Sequence, residues 1–161
     1  MRSAMAGLAL SAALAGPAGA QQAFEEPAGE LHYLSLSAGD GYLAAPSTLS
    51  RQGDEASVWV LTVHGEPRRV AEGDVRWTWG LQRFDCDGRT FAETPLHAFG
   101  EDGTLVGSVS SDHRWPINTP SREALWAYAC QGARPAHFSI APDRATAVAV
   151  LVAHLRKPAP Q

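Results

Sequence analysis

The chain has 161 residues, of which 45% are hydrophobic, and a formal net charge of −4. This length and composition fit one domain with a single hydrophobic core and leave no room for several large domains. The acidic balance, without any cluster of basic residues, argues against nucleic acid and anionic lipid as partners.

The N-terminus is typical of a bacterial-type export signal. Arg2 precedes an apolar run from Ala4 to Ala15, and the small residues Ala18-Gly19-Ala20 follow it. We predict that residues 1–20 are a cleaved signal peptide; the alternative, a buried N-terminal helix, is disfavoured by Gly16 and Pro17. The apolar run is far shorter than the roughly 20 residues of a membrane-spanning helix. Because no cysteine near the cleavage site could carry a lipid, we expect no stable membrane anchor after cleavage and a periplasmic or secreted protein.

The remaining chain divides into three parts. Residues 21–30 are polar, contain Pro27 and Gly29, and are predicted to form an N-terminal arm. Residues 31–157 are predicted to form a single domain, and residues 158–161 a short tail.

The chain has only two cysteines, Cys86 and Cys130. An exported protein matures in an oxidising compartment, so we predict one disulfide bond between them. In the chain-entropy model, closing a loop of this length stabilises the fold by about 4 kcal/mol at most. No Cys-x-x-Cys spacing is present, so we do not expect a redox-active site.

Short alternating or β-branched runs, separated by Gly, Asp and Pro, predict an antiparallel meander of about six strands. The predicted strands are Leu31 to Ser37, a short strand from Tyr42, Ser57 to His64, Asp74 to Cys86, Arg89 to Phe99 and Thr104 to Val109. The third should be central because it is apolar on both faces.

Three irregular features are expected around these strands. The central strand is predicted to end at His64, and Gly65-Glu66-Pro67 is predicted to lie between it and the next strand. A slip in the alternation predicts a β-bulge near Gly80 to Arg83. Ser110 to Asn118 is expected to be a loop.

Helical patterns begin only after this loop. Thr119 as N-cap and Pro120 at the first helical position predict a helix from Ser121 to Cys130, which Gly132 ends. A second helix is predicted from Pro142 to Lys157, although its valines also allow an edge strand. Strands followed by helices predict an α+β fold, in which the disulfide pins the first helix to the sheet.

No catalytic or metal-binding motif is present, and no cofactor is expected. The six histidines are scattered without a recognised ligand spacing. Asp85 and Asp87 flank Cys86, but Asp87 belongs to an Asp-Gly turn, so a cation site there is disfavoured. Asp112-His113 beside two serines resembles a catalytic triad only in composition, because no nucleophile turn accompanies it.

The five tryptophans give the best indication of a binding surface. We expect Trp59 and Trp77 to be core residues. Trp115 lies in the predicted loop beside Arg114, and this pair is the candidate contact site.

Several segments, taken in order, resemble a known family. They are Tyr42 to Val63, Leu81 to Thr90, Asp102-Gly103, Trp115 and Ser121 to Cys130. Over residues 31–131 the chain is similar to the surface-adhesin protein E-like domain. The resemblance implies an antiparallel sheet of about six strands, a helix packed on it, and a strand-to-helix disulfide. The named member of that family is an outer-membrane adhesin that binds host matrix and plasma proteins.

The chain departs from that adhesin in two ways. It lacks a lipid-anchor cysteine, and the resemblance does not explain the residues from Ala133 onward.

We therefore predict a non-enzymatic interaction domain of the bacterial cell envelope that recognises a protein or envelope component through a sheet face or the Trp115 loop. One alternative is a periplasmic enzyme with an unrecognised His/Asp site. Another is a structural accessory protein of the envelope, which would form a stable stoichiometric complex.

Overall fold

The computed structural model describes residues 24–37, 39–135 and 139–156. The predicted signal peptide, the predicted tail and His137 lie outside the described residues. The fold is a mainly antiparallel sheet with two helices. The strands are β1 (Leu31–Ser37), β2 (Asp40–Ala44), β3 (Ser50–Gln52), β4 (Glu55–Val70), β5 (Gly73–Asp85), β6 (Thr90–Phe99), β7 (Leu105–Val109), β8 (Trp115–Pro116) and β9 (Ile140–Ala141).

The sheet follows the order β7-β6-β5-β4-β2-β1-β9, with β3 paired to β4 and β8 paired to β6. The six predicted strands correspond to β1, β2, β4, β5, β6 and β7. The described residues nevertheless form nine strands rather than six. The three additional strands, β3, β8 and β9, were not predicted. These three have only two or three residues each, too few to show an alternation of apolar and polar side chains.

β4 is longer than predicted. It is central and buried on both faces, as its pattern indicated, but it continues through Gly65-Glu66-Pro67 to Val70. The predicted end of this strand at His64 is therefore wrong. A break in the β4–β5 register between Val63 and Arg68 accommodates the extra residues. The buried Arg76 donates hydrogen bonds to the carbonyl oxygens of His64 and Gly65, at 3.1 and 2.9 Å, which satisfies acceptors at this irregularity.

The bulge predicted near Gly80 is present, because the β5–β6 register shifts between Gly80 and Gln82. The predicted loop after β7 is partly wrong, since Trp115 and Pro116 form β8 against β6. This pairing places the Trp115 ring 5.6 Å from the Phe91 ring, centroid to centroid.

The first helix, α1 (Pro120–Trp126), packs on one face of the sheet. The Thr119 side chain accepts a hydrogen bond from the Arg122 amide, as expected for an N-cap. The helix continues as a π-helical turn over Ala127–Gln131, and Gly132 ends it in a left-handed conformation. The buried apolar cluster on this face comprises Leu34, Ala44, Ala56, Val58, Val60, Phe84, Phe91, Leu125, Trp126, Tyr128 and Ala129.

The predicted disulfide joins this helical segment to the end of β5. Cys86 and Cys130 are bonded, with their Cα atoms 5.6 Å apart. Arg51 adds a second connection by donating to the carbonyl oxygens of Tyr128 and Ala129. The helical segment is thus fixed over one end of the sheet.

The second helix, α2 (Arg144–Leu155), covers the opposite face of the sheet. The alternative of an edge strand is excluded, and the Asp143 side chain caps the helix by accepting from the Thr146 amide. The second buried cluster comprises Leu31, Leu43, Ala45, Leu61, Val63, Trp77, Trp79, Ala147 and Leu151. Trp77 is a core residue as predicted, whereas Trp59 is only partly buried beside this cluster.

Candidate binding groove

α1 covers only one end of its sheet face, and the other end of that face is open. The strand register places Asp40 opposite His64, Tyr42 opposite Thr62, and Thr62 opposite Thr78 on this open part. Two adjoining cavities of about 440 and 480 Å³ lie above it. Both are lined by Asp40, Tyr42, Arg68, Glu93 and Arg122. We call this continuous depression the polar groove.

The first charged group in the polar groove is built around Asp40. Its carboxylate accepts from Nδ1 of His64 at 2.8 Å and from the Arg68 guanidinium. The Asp40 and His64 side chains are each only 8% exposed. Burial lowers the pKa of His64, and the neighbouring Asp40 carboxylate offsets this only in part. His64 is therefore a neutral imidazole at pH 7, and Nδ1 carries its proton because a carboxylate can only accept.

The second charged group is built around Glu93. Its carboxylate accepts from the side-chain amide of Gln82 and lies 3.6 Å from the Arg122 guanidinium. Arg122 also donates to Oε1 of Gln82 at 2.9 Å, and its guanidinium lies over the Phe91 ring at 4.4 Å. Burial raises the pKa of Glu93, and Arg122 and Gln82 partly offset that effect.

Tyr42 lies between the two charged groups. Burial raises the pKa of its hydroxyl, and the Asp40 carboxylate adds to the effect. Ser121, at the start of α1, lines the same cavity as Tyr42 and partly offsets the rise in the pKa of the Tyr42 hydroxyl. The helix therefore forms one wall of the polar groove as well as the cover of the adjoining apolar cluster.

The far wall of the polar groove is apolar. Leu96, Ala98, Val106 and Val109, from β6 and β7, line it. The groove thus combines two internally paired charged groups with an aliphatic wall. Mixed lining of this kind suits the binding of a ligand that offers both polar and apolar groups.

The family to which this chain belongs follows from a comparison with known protein families. The family model of surface-adhesin protein E matches residues 32–131, more than half of the chain. The chain belongs to the surface-adhesin protein E family. The comparisons with curated proteins and with solved structures gave no significant match. Within the described ranges, no helix of this surface-adhesin E domain has both the length and the apolar composition needed to cross a membrane.

The two predicted contact residues of the surface-adhesin E domain are adjacent in the chain, but their side chains have different surroundings. Trp115, 38% exposed, lines the part of the polar groove beside α1. Arg114 instead donates to Glu55 at 3.0 Å, an ion pair outside the groove. The structure therefore places Trp115 at the candidate site and Arg114 away from it, and a contact role for either remains a prediction.

The other polar residues considered in the sequence do not form a metal centre in the described part of the chain. No group of three or more potential ligands is found there. Asp85 accepts from the Gly88 amide at 2.7 Å, so it caps the turn after β5. The Ser111 hydroxyl accepts from the His113 amide, and the His113 ring packs edge-on against Trp115.

The sequence reasoning missed the residues that form the two charged groups of the polar groove: Asp40, His64, Arg68, Glu93 and Arg122. One signal was available. Thr62 and His64 continue the same strand face as Val58 and Val60, so an apolar face becomes polar along β4. That change marks the border between the part of the sheet under α1 and the open part.

Proposed function

We propose that this surface-adhesin E domain is an exported, non-enzymatic interaction module of the bacterial cell envelope. It binds a protein or envelope component through the polar groove. The observation that carries this proposal is the open half of the sheet face beside α1, where the two charged groups and the aliphatic wall adjoin. Family membership supports a binding role.

The polar groove is suited to binding because its side chains are held in place before any ligand arrives. Asp40 accepts from His64 and Arg68, whereas Glu93 accepts from Gln82 and forms an ion pair with Arg122. The disulfide fixes the helical segment that carries Arg122. A site that needs little reorganisation loses less conformational entropy on binding. The pairing of each carboxylate with an arginine also keeps the groove close to neutral, which favours a ligand without strong net charge.

A photocrosslinking amino acid at Val70 tests the proposal directly. Val70 is exposed and lines the polar groove, whereas Val150 is exposed on α2, which packs on the opposite face of the sheet. We expect the same envelope or host component to crosslink to the Val70 probe and not to the Val150 probe. Equal crosslinking from both positions, or from Val150 alone, would contradict the groove assignment.

Replacing Trp115 with alanine tests its predicted contact role. Trp115 lines the groove and is 38% exposed, so its loss should lower capture of the Val70-crosslinked partner by about tenfold. Quantitative binding of the purified partner would measure this, with Arg114→Ala as control because Arg114 lies outside the groove. If Trp115→Ala binds as the parent does, Trp115 is not a contact.

The proposed location is the periplasm or the extracellular side of the envelope. The predicted signal peptide and the family support export. Protease treatment of intact cells and of cells with a permeabilised outer membrane distinguishes the two locations. Digestion on intact cells supports surface display, and protection until permeabilisation supports a periplasmic role.

An enzyme is the second candidate, favoured by the Asp40–His64 pair. A buried carboxylate that orients a neutral imidazole is an arrangement used for general-base catalysis. Mass spectrometry of the ligand after prolonged incubation separates the two functions. A binding module returns the ligand chemically unchanged, whereas turnover that His64→Gln abolishes would favour the enzyme.

A further inference from the structure

The outer edge of β7 is an unprotected sheet edge beside the polar groove. β7 pairs with β6 on one side, and no strand among the described residues pairs with its other side. Edge strands usually avoid further pairing through charges, prolines or very short length. The opposite end of the sheet follows this rule, because β9 has only two residues. In contrast, residues 103–111 contain neither a charged residue nor a proline.

We infer that this edge docks an extended segment of a partner protein, which continues the sheet and lies along the aliphatic wall of the polar groove. The inference rests on the proposed function and names the kind of ligand. Backbone hydrogen bonds to β7 supply affinity, and alternate side chains of the segment contact the groove wall, as in other cases of strand addition.

The exposed aliphatic residues of β7 favour an extended chain over a compact small molecule. Val109 is 61% exposed and lies opposite Leu96 on the groove face of the sheet. Leu105 is 55% exposed and lies opposite Phe99, on the face that carries α2. A ligand inside the groove covers only Val109, whereas a strand added at the edge reaches both residues.

The residues around β7 also indicate the composition of the docked segment. Open space surrounds the position of a side chain at Gly107, so a bulky partner residue fits opposite it. Asp102 and Asp112 lie at the two ends of the uncharged run, and both are exposed. The best complement is therefore a segment of alternating β-branched residues with a basic residue at each end.

A synthetic peptide provides the probe: nine residues in which valine and threonine alternate between two terminal lysines. Its control has the same length and charge but carries two central prolines, which prevent strand pairing. We expect the first peptide to bind the purified domain in calorimetry and to slow hydrogen exchange at the amides of β7. The proline peptide should do neither.

Two matched variants locate the site. Val109 and Val150 are equally exposed, at 61%, on β7 and α2 respectively. Val109→Lys should weaken binding of the basic peptide by about tenfold through like-charge repulsion and lost apolar contact. Val150→Lys adds the same charge elsewhere and should leave binding unchanged. Circular dichroism checks that both variants retain the fold.

Three outcomes would overturn the inference. Absence of β7 protection at millimolar peptide excludes strand addition, and equal effects of the two lysine variants make the attraction nonspecific. The third outcome is measured by sedimentation. If the parent protein is a dimer and the Val109→Lys variant is a monomer, the edge of β7 binds a second copy of this chain. If the edge fails but crosslinking at Val70 still captures its partner, the proposed function stands and only the strand-like ligand is wrong.

Discussion

At the level of single residues, Arg122 both lines the polar groove and connects α1 to the sheet. Its guanidinium contacts the Glu93 carboxylate and the Gln82 amide oxygen, and it stacks on Phe91 in the core. Glu93 is substantially buried, so its charge needs this partner. The same side chain therefore shapes the groove and stabilises the helix-to-sheet packing.

Arg122→Ala should destabilise the domain by about 2 kcal/mol, because it removes the cation paired with the Glu93 carboxylate and the donor to Oε1 of the buried Gln82. Urea denaturation measures this loss. The control is Arg69→Ala, which removes an ion pair with Asp74 whose two side chains are both mostly exposed. That variant should change stability by less than about 0.5 kcal/mol. Equal losses of unfolding free energy from the two variants would show that Arg122 contributes no more to stability than an exposed, ion-paired arginine.

His64 should make stability depend on pH. Burial lowers the folded-state pKa of His64 below its ordinary value of 6.5, so the unfolded chain binds the proton more readily. The resulting contribution to stability is complete above about pH 6.5 and is lost as pH falls from there toward the folded-state pKa. Asp40 opposes this loss, while Arg68 and Arg76 add to it.

Denaturation at pH 7.5 and pH 5.5 checks this expectation. His64→Gln should reduce the difference in unfolding free energy between the two pH values. Burial also lowers the pKa of His97, but His97 is less buried, so His97→Asn should reduce the difference by a smaller amount. A larger effect from His97→Asn would contradict the role assigned to His64.

At the level of elements, β4 and α2 approach closely where β4 passes Gly65. A β-carbon at Gly65 would lie 2.8 Å from Cβ of Leu155 and 3.0 Å from the carbonyl oxygen of Gly39. Both are rigid positions, so an added methyl group cannot be accommodated by a side-chain rotation. The absence of a side chain here allows α2 to pack on the sheet.

Gly65→Ala should therefore destabilise the domain by about 1–3 kcal/mol through overpacking. Thermal unfolding followed by circular dichroism measures the change. Gly107→Ala is the matched strand control, because nothing lies within 4 Å of the position that its added methyl group would take. We expect this control to stay within about 0.5 kcal/mol of the parent. Similar losses from both variants would contradict close packing at Gly65.

The elements differ in how well the sequence could predict them. The helical segment formed by α1 and its π-helical continuation was predictable, because Thr119 and Pro120 are local signals at its start and Gly132 is one at its end. The six longer strands were predictable from alternation. The extension of β4 past Gly65 was not, because it depends on Arg76, a residue of the neighbouring strand, whose side chain bonds two β4 carbonyl oxygens.

At the level of the whole molecule, strand pairing and the packing of α1 bring together the residues of the polar groove, which are distant in sequence. Asp40, His64 and Arg68 come from β2 and β4, while Glu93 comes from β6 and Arg122 from α1. No fixed spacing in the chain relates these residues, so no motif could reveal them. Trp115 was identified from its place in a predicted loop beside Arg114, whereas its position beside the groove depends on the pairing of β8 with β6.

The family match ends at Gln131, yet one of the two buried clusters is completed by residues after it. α2 contributes Ala147 and Leu151 to the cluster that contains Leu61, Val63 and Trp77. Without α2, that sheet face would be exposed to water, and each large apolar side chain contributes about 1.5–3 kcal/mol by its burial. Such a loss is comparable with the total stability of about 5–15 kcal/mol of a typical domain.

A chain ending at Gly132 should therefore lose cooperative thermal unfolding and the near-ultraviolet circular dichroism of its packed tryptophans. Leu151→Ala in the full chain is the graded control: it should cost about 2–4 kcal/mol and still fold, because it removes one buried side chain of the helix. If the shortened chain melts as the full chain does, α2 is dispensable, and the matched region from residue 32 to 131 is by itself the folding unit.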